Sequence, residues 1–329
     1  MRAAVLGVGA VGSRAARQLA STAGVDAILV SDPNPGRADW ARSSLGPVAR
    51  SAAMGFDLEG NDVVVLAGPG PAQPAQAEQA LAAGAHVVAT SDDLPSVRGL
   101  LALDDMARRR GRTLVIGASF APGLSCLLAA HGASLFDEVH EIHVARHGTG
   151  GPVCARAHHA ALGRSAIDYR DGEWIERQGG SGRELVWFPE PVAGRDCYRA
   201  EMADAVLLAP RFPKLERATA RQAATRRDRL TARLPMLRQP HPEGLVGAVR
   251  IELRGLRGGS FDTLVYGAMD RPAVAAGAVA AVAAVAATRG ELHRGAAGLA
   301  SLVDDPIPFL TELATRGVRG AVFAGATGA

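Results

Sequence analysis

Three glycines near the start of the chain, Gly7, Gly9 and Gly12 in "VLGVGAVGSRAARQLA" (residues 5–20), have a spacing suited to phosphate chemistry. Gly7 permits a tight turn out of a strand. Gly9 has no side chain, so a pyrophosphate can approach the backbone. Gly12 lets the following helix pack closely on the strand. With Ala10 and Val11 these residues form a loop at a helix N-terminus, whose unpaired N–H groups point at an anion. Asp32 lies twenty positions beyond Gly12, at the end of a second apolar run closing in "VSDPN", where a carboxylate accepts hydrogen bonds from ribose hydroxyls. The alternative is a glycine turn with Asp32 capping the next helix. Strand, loop, helix and acidic residue together predict a dinucleotide site. The Asp32 carboxylate repels a 2′-phosphate and favours NAD, whereas nearby Arg37 and Arg42 could hold that phosphate and accommodate NADP.

Further candidates lie downstream. "AGPGP" (67–71) and "TSDD" (90–93) end two later strands, so Gly68, Pro69, Thr90 and Ser91 are expected beside the nicotinamide half, with a purely structural turn as the alternative at 68–71. "HEIHVARHGTGGPVCARAHH" (140–159) carries His140, His143, His147, Cys154, His158 and His159. On a strand, His143 and His147 share a face that His140 does not, and neither CxxC nor HExxH spacing occurs, so no metal site is expected. "GTGG" reads as a turn into a helix beginning near Val153. That helix bears His158 and His159, imidazoles able to pass a proton to the amine or alcohol formed by hydride transfer. In "WFPEPVAGRDCYRAE" (187–201) the Arg195 guanidinium suits a substrate carboxylate, with a structural Arg–Asp pair as the alternative. Cys197 has no nucleophile-like surroundings and reads as a bystander thiol.

The elements that must position these groups follow from periodicity. Short apolar runs at 2–7, 26–31, 62–67, 86–90 and 113–118, with a weaker one near 47–52, alternate with helical patterns near 11–22, 36–44, 73–83 and 96–110. Alternating strand and helix implies right-handed crossovers and a doubly wound parallel sheet. After residue 136 the pattern changes: "EVHEIHVARH" and "GLVGAVRIELRGLRGG" alternate like half-buried strands, and "DYRDGEWIERQ" reads as a hairpin turning at Asp171-Gly172. The expected architecture is α/β: a Rossmann doubly wound sheet with an inserted α+β domain carrying a largely antiparallel sheet. Its parts are a dinucleotide-binding domain (1–125), a substrate and dimerisation domain (126–267) and C-terminal helices (268–329) that return to the first. "PAVAAGAVAAVAAVAAT" (272–288) reads as a buried helix, with Asp270 as cap, Pro272 in the first turn and Gly290 as terminator. The closing "GATGA" reads as disordered.

Composition narrows the function classes. At 329 residues the net charge is +3, and nearly all the positive charge is arginine, with Lys214 the one lysine. The densest run, "RQAATRRDRLTARLPMLR" (221–238), lacks interleaved aromatics, so no nucleic-acid partner is expected. The Ala-rich run is short for a bilayer and poor in insertion-driving side chains, so no membrane partner is expected either. Three scattered cysteines and no signal-peptide pattern fit the cytoplasm.

The glycine-rich start, "GASFAPGLSCLLA", "YGAMDRPAVAAGAVAAVAA" and the tail "DDPIPFLTELATRGV" together resemble the saccharopine dehydrogenase-like reductases, over about the first 135 and last 65 residues. Pro122 and Gly123 match that family's proline–glycine turn. Many relatives carry an acidic residue just before it, where this chain has Ala121. The resemblance implies a Rossmann domain interrupted by a substrate domain, and a homodimer. The reading is an NAD(P)-dependent oxidoreductase acting on an amino-acid-like small molecule, its substrate carboxylate-bearing if Arg195 serves it. A nucleotide-binding sensor or assembly protein without turnover is the alternative. An amino-acid or homoserine-type dehydrogenase is a third, weakened because Lys214 alone could act as a lysine acid or base.

Overall fold

The computed structural model describes residues 1–236 and 239–322. The "GATGA" tract, and Leu237 and Arg238 of the arginine-rich run, lie outside the described residues. The first six strands are β1 (Arg2–Leu6), β2 (Ala27–Ser31), β3 (Ala49–Ser51), β4 (Val63–Leu66), β5 (His86–Ala89) and β6 (Thr113–Ile116). There follow β7 (Glu138–His147), β8 (Ser165–Arg170), β9 (Glu173–Gln178), β10 (Glu184–Trp187) and β11 (Gly194–Arg199), then β12 (Arg217–Ala223), β13 (Gly247–Arg257), β14 (Ser260–Asp270), β15 (Gly295–Ala297) and β16 (Arg319–Val322).

Seven strands form a wholly parallel sheet in the order β15-β6-β5-β4-β1-β2-β3. Every residue of β4, β5 and β6 is buried. These four-residue runs are continuously apolar, apart from His86 and Thr113, because helices cover both faces and no position is solvated. The strand order reverses between β1 and β4, which opens a crevice at their carboxyl ends. The glycine loop leaves β1 at that point.

The second sheet has nine strands, with the path β10-β11-β12-β7-β13-β14-β16 and the β8–β9 hairpin attached to β12. It is antiparallel except where β7 and β12 run parallel. Asp171 and Gly172 both take positive φ (53° and 87°), the two-residue turn whose twist matches its strands. The sheet is therefore the α+β layer expected, with one parallel pair that short alternating runs could not reveal.

The Ala-rich helix spans Pro272–Arg289, and 83% of it is buried. It is long and apolar enough to cross a membrane, yet it lies inside the fold, against β4, β5 and the helix Gly12–Ala20. Alanine permits this close seat. At Gly277 even one extra carbon would fall 2.6 Å from Arg14 Cβ and 2.8 Å from Ala15 N. Pro272 opens the helix and Gly290 (φ 74°) closes it, as expected. Asp270 does not cap it: that residue ends β14, and the cap position falls to Arg271 with no side-chain bond. Strands β15 and β16 escaped the sequence reading because three or four residues rich in glycine and alanine carry no periodic signal.

Candidate active site

The turn out of β1 needs its glycines for separate reasons. Gly7 has φ +92°, and a side chain there would fall 2.6 Å from the Gly68 nitrogen. A side chain at Gly12 would overlap the Gly7 carbonyl. At Gly9 it would meet nothing within 4 Å, so this position borders open space. The helix Gly12–Ala20 begins with no side-chain cap and no acidic residue in its first turn. The Ser13 and Arg14 N–H groups are taken by the Gly9 and Val11 carbonyls (3.0 Å each), so among the described residues the donors left open to an anion are the N–H groups of Ala10, Val11 and Gly12. Asp32 is buried at the neighbouring strand end, where its Oδ2 accepts from Val8 N (3.0 Å) and its Oδ1 from Asn34 N (2.9 Å). The cap of the helix Pro35–Leu45 is Asn34, not Asp32. The exposed Arg37 guanidinium stands 3.7 Å from Asp32.

The ends of β4 and β5 are tied together. Gln73 donates to the Gly68 carbonyl (2.8 Å) and accepts from both the backbone nitrogen (3.1 Å) and the hydroxyl (2.7 Å) of Ser91. The Thr90 hydroxyl donates to the Leu66 carbonyl. Of the four residues expected beside the nicotinamide, Ser91 and Thr90 thus spend their hydroxyl protons on the scaffold.

The next residue, Asp92, receives groups from the other sheet. Arg146, the penultimate residue of β7 and only 3% exposed, donates from NH1 to Asp92 Oδ2 (2.6 Å) and to the Ala121 carbonyl (2.9 Å), and from NH2 to Gln222 Oε1 (3.1 Å). His158, on the helix Pro152–Ala161, places Nε2 2.6 Å from the same Asp92 oxygen, and Gln222 Nε2 holds the His158 carbonyl (2.6 Å). Cys154, one turn earlier, lies 3.4 Å from His158 Nε2. Burial disfavours the Asp92 charge, but His158 and Arg146 outweigh it and hold the carboxyl well below its usual range. Burial and Arg146 likewise oppose a charged His158, yet Cys154 and Asp92 outweigh them and raise it well above an ordinary imidazole. Burial would raise Cys154, but His158 pulls it below an ordinary thiol; by contrast burial pushes Cys126 and Cys197 up to about 12. Below Arg146, the fully buried Asp204 accepts from the Ser125 hydroxyl (2.7 Å), and burial raises its carboxyl.

The "GTGG" turn carries this helix against the glycine loop. Side chains built at Gly150 and Gly151 would fall 3.5 Å from Val11 Cγ2 and 2.8 Å from Ala10 Cβ. His158 therefore stands beside the crevice. Its neighbour His159 does not: its Nε2 lies 2.9 Å from the Thr231 carbonyl, because adjacent helical residues point about 100° apart. Arg195 is exposed on β11. By strand alternation and pairing, it shares the sheet face of His147, opposite to that of Arg146. The Arg–Asp pairs in this region do not use Arg195: Asp196 pairs with Arg183 (3.0 Å) and Arg199 with buried Asp168 (3.0 Å). Asp92, Arg146, Gln222 and the Cys154 contact were not singled out from sequence. One signal was present: Ile142, Val144 and Arg146 occupy alternate positions on one strand, so a charge continues an apolar face.

No protein-family model matches the sequence. Among solved structures, an apo saccharopine dehydrogenase (L-Glu forming) from Saccharomyces cerevisiae superposes with a TM-score of 0.73, at 16% identity, over 98% of this chain and 100% of that one. This chain has the saccharopine dehydrogenase fold. A DAP dehydrogenase from C. glutamicum in complex with DAP matches more loosely (TM-score 0.52, 15% identity, 97% and 99% covered). The saccharopine dehydrogenase fold implies a nicotinamide dinucleotide, and the residues present fit one. Open space over Gly9, an uncapped helix start and a buried carboxylate at the second strand end are the requirements of pyrophosphate and ribose.

Proposed function

We propose that this chain is an NAD(P)-dependent oxidoreductase moving a hydride to or from an amine-, imine- or hydroxyl-bearing carbon of an amino-acid-like molecule. One observation carries the reading. Asp92 from the nucleotide-binding sheet and Arg146 and His158 from the other part of the chain converge at the crevice beside the glycine loop. The loop Gly7–Gly12 would hold the pyrophosphate by backbone N–H groups, and Asp32 the adenosine ribose. When bound, the nicotinamide supplies the hydride chemistry. His158 manages the proton: Asp92 keeps its ring charged, so it can protonate a nascent nitrogen or oxygen and take the proton back in reverse. Arg146 fixes Asp92, and Gln222 fixes the backbone of His158. The substrate class draws support from the fold shared with the saccharopine and DAP dehydrogenases. We favour NAD, because Asp32 lies where a 2′-phosphate would sit, although Arg37 could pair with that phosphate.

Thermal melting tests the central claim. At 100 times its Kd, a bound nucleotide adds about 2.7 kcal/mol of stability. Millimolar NAD(H) or NADP(H) should raise the melting temperature by several degrees, and no rise with either sinks the proposal. A second reading, a nucleotide-binding sensor without turnover, draws on one observation: every charge around Asp92 already has a partner within the chain, as a latch would. Turnover on a panel of amino and hydroxy acids, lost in His158→Gln with cofactor affinity retained, decides for the enzyme.

A further inference from the structure

At the amino-terminal edge of the parallel sheet, away from the glycine loop, lies a cavity of about 430 Å³. Asn61, Gly84, His86, Arg112, Thr288 and Arg289 are among its walls. His86 starts β5 and is 4% exposed. Its Nδ1 accepts from the backbone nitrogen of Thr113 (3.1 Å), so in the neutral ring Nε2 carries the proton. Two guanidinium nitrogens converge on that Nε2, Arg112 NH1 at 3.4 Å and Arg294 NH1 at 3.3 Å. Both are donors. Three donors therefore face one another with no acceptor among them. Burial, then Arg294, then Arg112 push His86 down to about 4, so the ring is neutral near pH 7.

Positive charge predominates around the cavity, where Asp62 is the one acid among the walls and opposes the lowering of His86. Among the described residues no carboxylate pairs with Arg112, Arg289 or Arg294. Arg112 Nε is buried without a hydrogen-bond partner. The nearby acids have other partners: Asp62 accepts from Arg2 N (2.6 Å), and Asp26 holds the Met1 ammonium (2.6 Å). A buried donor left unpaired costs the full desolvation of that group, and guanidinium forks match planar or tetrahedral oxyanions.

We propose that this cavity is a second ligand site, for a small oxyanion-bearing metabolite held by Arg112, Arg289 and the Nε2–H of His86, with Arg294, 3.3 Å from that Nε2, adding positive charge. Its volume lies in the range of small-molecule sites, about 300–1,000 Å³, and exceeds what a single inorganic anion fills. The ligand is thus a phosphorylated or polycarboxylate compound, bound at the opposite end of the sheet from the glycine loop.

Calorimetric titration of the full chain with inorganic phosphate and, separately, citrate at matched ionic strength tests this. Wild type is compared with the double variant Arg289→Gln/Arg294→Gln, whose two arginines are exposed, so the fold is retained. The wild type should bind at least one of the two probes, and the stronger arm names phosphate or carboxylate chemistry. The double variant should bind it roughly tenfold or more weakly, having lost one charge-assisted contact and a neighbouring positive charge. In chloride alone the double variant should melt no lower than wild type, because like-charge repulsion is relieved. Binding of neither probe by wild type, or equal binding by the variant, overturns the proposal.

Discussion

Asp92 is where Arg146 of β7 and His158 of the helix Pro152–Ala161 meet one carboxylate oxygen, and its side chain controls the charge of His158. Asp92→Asn removes that control. In the reductive direction, where His158 is the acid, the alkaline limb of a turnover pH profile should then move from the raised range down toward the ordinary 6.5. His158→Gln should lower kcat by about 10²–10⁴, the usual worth of a positioned acid–base group, with cofactor Kd unchanged. A pH–rate profile of both variants checks this, and an unmoved profile in Asp92→Asn removes His158 from the chemistry. The same substitution leaves Arg146, 3% exposed, without its carboxylate, at a stability cost of about 3–5 kcal/mol, visible as a lower melting temperature. His158 could be named from sequence because imidazole beside a glycine turn is a readable chemical type. Asp92 could not be told from Asp93: one serves the cluster and the other caps the helix Leu94–Leu101, and only packing separates the two roles.

At the scale of elements, the cleft depends on two helices seated against each other through small residues. Gly277→Val would push a side chain into the Arg14–Ala15 backbone, at a cost of about 1–3 kcal/mol for an overpacked contact. The helix bearing the glycine loop would shift, so cofactor affinity and melting temperature should fall together. Gly9→Val makes the opposite case. Its added carbons enter open space, so stability without cofactor should change by less than about 0.5 kcal/mol while cofactor binding weakens severely. Melting curves with and without nucleotide separate the two outcomes, and a Gly9→Val protein that binds as wild type would place the pyrophosphate elsewhere. The parallel strands and the late Ala-rich helix were legible because buried apolar runs and alanine periodicity are local. The β7–β12 parallel pair and the joining of β15 to the first sheet were not, since both depend on which distant strand lies alongside.

Over the whole molecule, these buried charges give stability a pH dependence. The folded-state value of His158 is raised, so its contribution is fully present below 6.5 and fades as pH climbs through that raised value. Asp92 is depressed, so its contribution is present above 3.8 and is lost as pH falls. His86 is lowered to about 4, so between pH 6.5 and about 4 the unfolded chain takes a proton that the folded ring refuses, and stability drops. Thermal melts of wild type and His158→Gln from pH 5 to 10 should differ by a constant amount below about 6.5 and converge in the alkaline range. A gap that stays constant to pH 10 would show that the His158–Asp92 pair adds no pH-dependent stability. The order of short apolar runs, the glycine spacing and Asp32 were enough to predict a doubly wound sheet with a loop shaped for a dinucleotide, because each signal lies within some thirty neighbouring residues. The Asp92–Arg146–His158 cluster and the arginine-lined cavity needed the tertiary structure. Asp92 stands 54 and 66 positions from Arg146 and His158, and His86 stands 208 from Arg294, and charge acquires its meaning there from burial and from the partner that folding brings within hydrogen-bond reach.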